Sequence, residues 1–195
     1  MLKNLLIKCA NLLGRDDIST ELNKSNKLDE ITDDSVKKEI EKLLCFYNFV
    51  TSLTFETYLN LTFTEKIHSD LNSKIEFYKF SKQPIKIIKI EKDNGEFVKF
   101  VSKSSFILTG VSNEPLNITY NFLPDDAKDI DDNISYLDIK TMKILCYGIV
   151  SEFLASKGKY SESEFWNNKF LFELFKIKNN NERRLKSTFC LWKRL

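Results

Sequence analysis

The hydrophobic period of this chain changes twice along its length, and that limits the folds open to it. Towards both ends, apolar residues recur every three or four positions, the spacing of one helix face. From about residue 59 to 123 they gather instead in short runs rich in β-formers. The cleanest is LNITYNFL, where Leu116, Ile118, Tyr120 and Phe122 alternate with Asn117, Thr119 and Asn121. Such alternation makes a strand with one dry and one wet face. IKIIKIEKDNGEFVKFV predicts a hairpin, with Asn94-Gly95 at the two φ > 0 positions of a type I′ turn. IEFYKF and SFILTGV read as further strands. A sheet with a dry face needs a cover, and the flanking helices are available for it.

The helical segments follow from their stripes. Leu2, Leu5, Leu6, Cys9, Leu12 and Leu13 share one face, and Gly14 is a natural stop. GRDDISTELNKSNKLDEITDD is polar and reads as an irregular link. Thr32, Asp33 and Asp34 then supply caps and favourable charge for a long helix. Its buried stripe is Val36, Ile40, Leu43, Leu44, Tyr47 and Val50, and TSLTFETYLNLTFTE beyond it favours extended structure. PDDAKDIDDN punctuates residues 124–133. Leu137, Met142, Leu145, Ile149 and Phe153 mark a third helix that ends near Gly158. A fourth starts near Ser161. Phe165, Trp166, Phe170, Phe172, Leu174 and Phe175 make it apolar on more than one face, so it is central to a core or part of an interface. Asn179-Asn180-Asn181 ends the pattern.

The expected class is therefore α+β. An antiparallel four-helix core, two helices from each end of the chain, carries a central antiparallel β-rich insertion and a C-terminal arm. The segments are 1–58, 59–123, 124–178 and 179–195.

Composition narrows the function classes. A net charge of +2 gives no surplus for general nucleic-acid coating. Sixteen Phe argue against disorder. The four Cys form no CxxC pair, and the single His68 cannot complete a zinc set. Cys9, Cys45 and Cys146 lie among apolar residues and read as small buried hydrophobes in a reducing compartment. No segment has the length of a membrane span. Lys8 breaks the apolar run before Cys9 and no small-residue cleavage site follows, so synthesis in a cytoplasm is expected.

No catalytic signature emerges. His68 in EKIHSDL has Glu65 and Asp70 nearby but no nucleophile motif, and reads as a surface or partly buried His. Asp125, Asp126, Asp129, Asp131 and Asp132 lack the spacing, turn Gly and closing Glu of a calcium loop, and read as linker and helix-start charge. Gly-rich phosphate loops are absent. The expectation is a non-enzyme with no cofactor and no metal.

The tail NNNERRLKSTFCLWKRL stands apart, with three of the four Arg of the chain. Arg183, Arg184, Lys186, Lys193 and Arg194 surround Leu185, Phe189, Leu191 and Trp192. Exposed aromatics beside Arg suit an interface hot spot. The same pattern also fits a tail folded onto its own core, or phosphate contact and base stacking on nucleic acid. A protein partner is the reading adopted, with Arg183, Arg184, Leu185, Lys186, Phe189, Trp192, Lys193 and Arg194 as partner-binding residues. A small regulatory or nucleic-acid-binding protein using this arm is the alternative.

Three stretches carry a family resemblance: IKCANLLGRDDI, ITYNFLPDDAKDIDD and MKILCYGIVSEFLASKGKYSESEFWNNKFLFEL. With NERRLKSTFCLWKRL as the arm, the chain resembles the head-to-tail adaptor (connector) proteins of tailed bacteriophages. It looks most like the tail tubular protein A type and the connectors of phages infecting Gram-positive bacteria. The resemblance implies a structural virion protein, made in the bacterial host cytoplasm and ending at the head–tail interface. It implies a homo-oligomeric ring, typically dodecameric, below the portal protein and above a neighbouring tail or stopper protein. DNA would pass through the channel without sequence-specific binding, and the C-terminal arm would reach the portal. No membrane, cofactor or catalysis is implied.

Overall fold

The computed structural model describes the backbone of residues 1–192 and the side chains of residues 1–178. It is a mixed α+β chain with antiparallel sheets. The chain divides into two units, one made of residues 1–54 and 126 onward, the other of residues 55–125.

The first unit is helical. It contains α1 (Leu2–Leu12), α2 (Asp16–Lys24), most of α3 (Asp34–Thr57), α4 (Ile139–Ser156) and α5 (Tyr160–Trp192). Each helix buries one stripe: Leu2, Leu5, Leu6 and Cys9 from α1, and Ile40, Leu43, Tyr47 and Val50 from α3. α4 adds Met142, Leu145, Ile149 and Phe153, and α5 adds Phe170, Leu174 and Ile177. The Asp138 side chain accepts a hydrogen bond from the Thr141 backbone N–H at 2.6 Å and caps α4. Tyr47 and Tyr136 join their hydroxyls at 2.7 Å, so the polar tip of a buried ring is satisfied.

Two details of this unit differ from expectation. The polar stretch after Gly14 is not an irregular link but contains α2. Ile18 and Leu22, one turn apart, are both fully buried, and Asp16 and Asp17 sit at the favourable N-terminal end. The β-prone TSLTFET stretch is helical as far as Thr57, because Val50, Thr51 and Thr54 continue the buried stripe of Tyr47 and burial overrides local preference. At the other end, α5 does not stop at Asn179-Asn180-Asn181, since its backbone runs on to Trp192.

The second unit holds two three-stranded antiparallel sheets. β1 (Leu61–His68), β6 (Pro115–Phe122) and β3 (Pro84–Glu91) form one, in the order β1-β6-β3. β2 (Lys74–Glu76), β5 (Phe106–Leu108) and β4 (Val101–Ser102) form the other, in the order β2-β5-β4. One hydrophobic cluster draws on both sheets, with Ile75 and Ile107 from the second joining Ile67, Ile87, Ile90, Leu116, Ile118 and Tyr120 from the first. The Tyr120 ring stands edge-on to Phe80 at 4.9 Å, a favoured aromatic geometry.

β3 solves a patterning problem. PIKIIKIE cannot alternate, because Ile87 and Ile88 are adjacent. Two register shifts against β6, between Pro84 and Lys86 and between Ile87 and Lys89, reset the pleat. Pro84, Ile87 and Ile90 then point inward while Ile85 and Ile88 face out.

The turn after β3 is not type I′. Only Gly95 has positive φ (+81°), whereas Asn94 does not. The Gly95 N–H donates to the Lys92 carbonyl at 2.9 Å, and the Lys92 N–H to the Glu96 carbonyl at 2.9 Å. This is a three-residue loop, a type I turn closed by a left-handed Gly. EFVKFV pairs back only at Phe97 opposite Glu91, and Val101–Ser102 turns away to join β5. IEFYKF likewise yields only the short β2, followed by a single 3₁₀ turn at Phe77–Lys79.

Two substitutions test the helical unit. A Cβ at Gly148 would lie 2.6 Å from Val50 Cγ1 and 3.2 Å from the Phe170 ring. Val50 is stiff at χ1 and buried, so the overlap outweighs the helix propensity gained, and Gly148→Ala should cost about 1–3 kcal/mol in chemical denaturation. The Glu39 carboxylate meets Lys157 at 2.9 Å, Lys42 at 3.1 Å and Arg15 at 3.5 Å. Burial would raise its pKa, yet the hydrogen bonds from Lys157 and Lys42 hold it below the usual glutamate value. Its contribution is therefore present above the unfolded-state pKa and is lost as pH falls through the lower folded value. Glu39→Gln should cost about 1 kcal/mol at neutral pH, and the gap from wild type should close when unfolding is measured in acid.

Candidate interaction surface

α5 has two faces, as its composition suggested. Phe170, Leu174 and Ile177 are buried. Phe165 and Phe172, seven residues apart and so on one side, are 54% and 61% exposed, and Phe175 joins them at the edge. Lysines cover the rings. Lys169 Nζ lies 4.2 Å from the Phe165 ring centre and 4.5 Å from that of Trp166. Lys176 Nζ lies 4.1 Å from the Phe172 ring and 3.3 Å from Glu173 Oε1. Each exposed cation–π contact contributes about 0.5–1 kcal/mol, too little to explain three large aromatics left in solvent.

Trp166 leads from this face to α4, where it packs on Tyr147 with ring centres 5.5 Å apart. Tyr147 in turn lines an open groove of about 700 Å³ shared by α1 and α4. Its walls are Leu12, Ile139, Cys146 and Tyr147, and its rim holds Lys8, Lys140 and Lys143. Leu12 was expected in the buried stripe of α1, but it is 44% exposed and forms one wall of this groove. At the floor, the Cys9 thiol donates to Cys146 Sγ at 3.2 Å. Burial, then the hydrogen bond and charge of Cys146, push the Cys9 pKa well above its ordinary value. Cys45, by contrast, is exposed, because α3 turns its outer face with Phe49 and Leu53 to solvent there.

No protein-family model and no curated protein matches this chain.

The chemistry-bearing residues singled out in the sequence fall in several places. His68 is exposed at the end of β1, opposite Pro115. Glu65 faces away from it along the strand and accepts hydrogen bonds from the Tyr120 hydroxyl and the Ser81 backbone N–H. Burial, then that hydrogen bond, raise the Tyr120 pKa to about 12. Asp129 accepts from the Leu28 and Ile130 N–H groups, and Asp132 from those of Lys128 and Asp129, so these carboxylates tie down backbone. No group of three or more metal-ligating side chains converges among the described residues. Nor is any helix among them long and apolar enough to cross a membrane.

Of the arm residues, the side chains of Arg183, Arg184, Leu185, Lys186, Phe189 and Trp192, and all of Lys193 and Arg194, lie outside the described residues. The α5 face and the groove were reached only in part by sequence reasoning. The excess of aromatics on α5 signalled the face. Nothing in the sequence signalled that α1 and α4 would leave a trough.

Tyr120 gives this region a test of its own. Its phenol ionises later in the folded than in the unfolded chain, so its stabilising effect is complete below about pH 10 and is lost as pH rises towards about 12. Unfolding measured across that range should show a fall in stability that is smaller in Tyr120→Phe.

Proposed function

We propose that this chain is a structural subunit of the head-to-tail connector of a tailed bacteriophage. In this reading α1, α3, α4 and α5 form an antiparallel four-helix core that packs side by side around a channel for DNA. The ring sits below the portal protein, its C-terminal arm docks there, and its free rim presents the surface where the tail or a stopper protein attaches. The observation that carries the reading is the outward face of α5, where Phe165 and Phe172 stay in solvent beneath lysines. A helix that spends large aromatics on its outer side is built for a neighbour. A head-to-tail contact of this kind closes into a ring when its rotation permits. The layout of helices before and after an inserted β unit, and the stretches that resemble the adaptor family, support the same role.

An arm that orders on docking loses entropy, yet it can wrap a large surface, and many copies in a ring add avidity that one arm lacks. No catalytic step is part of this reading.

The deciding experiment is quantitative mass spectrometry of intact particles, comparing this chain with the portal protein. A ratio near one-to-one is expected for a connector. Absence from particles overturns the reading and moves weight to the regulatory or nucleic-acid-binding alternative, which predicts binding that falls steeply with salt. Two variants refine it. Deleting residues 183–195 should leave the fold intact, by circular dichroism, and abolish portal docking. Phe165→Ser with Phe172→Ser should change stability by no more than about 0.5 kcal/mol per site, as exposed positions do, yet prevent ring assembly in sedimentation.

A further inference from the structure

We propose that Cys9 and Cys146 form a dithiol modification site, oxidised through the α1–α4 groove by an anionic low-molecular-weight disulfide. Three observations converge on it. The two sulfurs are 3.2 Å apart, from residues far apart in sequence on two packed helices. A disulfide bond is about 2.05 Å long, so the sulfurs need to approach by only about 1 Å. Cys146 also lines the groove, whereas Cys9 is fully buried behind it. The site therefore has an outer sulfur that a reagent can meet and an inner one that it cannot. Finally, Lys8, Lys140 and Lys143 stand around the groove mouth, and only Lys143 has a carboxylate partner among the described residues, Glu173 at 3.4 Å. Lys8 and Lys140 leave positive charge to draw in a reagent that bears carboxylates.

The chemistry is two successive exchanges. The Cys146 thiolate attacks one sulfur of the reagent, forming a mixed disulfide and expelling one thiolate. Cys9 then loses its proton and attacks Cys146 Sγ, forming the Cys9–Cys146 bond and expelling the second half of the reagent. Two protein thiols become one disulfide, and one reagent disulfide becomes two thiols. Burial disfavours the Cys9 anion, so the second exchange is the slower one and the mixed disulfide accumulates first. In a reducing compartment the pair stays as thiols, and passage to an oxidising medium closes it. The bond ties α1 to α4 and encloses the whole β unit within one covalent loop, which raises the thermal midpoint of the helical unit. None of this depends on the assembly role proposed above.

The test is to incubate the full chain with glutathione disulfide and follow intact mass and peptide maps. The expected product has lost two hydrogen atoms, gives a cross-linked peptide pair holding Cys9 and Cys146, and melts at a higher temperature than the reduced chain. Cys9→Ser should instead stop with one glutathione on Cys146. Replacing Lys8 and Lys140 together by Gln should slow the reaction with glutathione disulfide about threefold or more, and leave the rate with neutral hydroxyethyl disulfide unchanged. If the wild-type chain takes glutathione at Cys45 or Cys190 while Cys9 and Cys146 remain alkylatable thiols, the site does not exist. If a mixed disulfide on Cys146 never resolves, Cys9 is not its partner. Equal slowing of both reagents would overturn the role of the lysine rim.

Discussion

The helical unit depends on a side chain that is missing. At Gly148 the backbone of α4 comes close enough to Val50 and Phe170 that a single added carbon would overlap the first and press on the second. Three helices thus meet where one of them has no side chain. That contact sets how deeply α3 and α5 lie against α4, and so decides which residues of each are left outside. Phe170 can be buried because Gly148 gives it room, and with Phe170 turned inward the helix geometry carries Phe165 and Phe172 away from the core. The exposed aromatic face is a consequence of the same close approach.

The β unit is governed by another constraint, the need to bury one row of side chains from strands whose sequences do not all alternate. β6 alternates cleanly and buries Leu116, Ile118 and Tyr120. β3 does not, and gains its inward row only through two irregularities in register. The price is a pair of exposed isoleucines, Ile85 and Ile88, on its outer side. Tyr120 joins the two concerns, since its ring lies in the core and its hydroxyl finds Glu65.

The mixed α+β class could be read from the change of hydrophobic period, and so could the stripes of α3 and α4, because long periodic segments carry many independent signals. α2 could not. Its two buried residues, Ile18 and Leu22, sit in a polar stretch too short for a pattern to stand out. The turn at Asn94-Gly95 was placed correctly and typed wrongly, because the same dipeptide serves a two-residue loop and a three-residue one, and the pairing register chooses between them. Cys45 shows a different limit: it is one residue past the buried Leu44, and a single step around a helix carries a side chain from core to solvent. The dithiol pair and the groove above it depend on how α1 meets α4, which no local pattern encodes.

The chain leaves the helical unit after residue 54 and returns to it at 126, so the β unit is continuous in sequence while the helical unit is not. During synthesis the two therefore mature in a fixed order. Residues 55–125 can complete their sheets as soon as they clear the ribosome, because every strand partner is already present. α1 and α3 emerge earlier yet must wait, their apolar stripes unburied, until α4 and α5 follow. The interval between those events is the period in which this chain most needs protection from aggregation, and its length is set by the insertion.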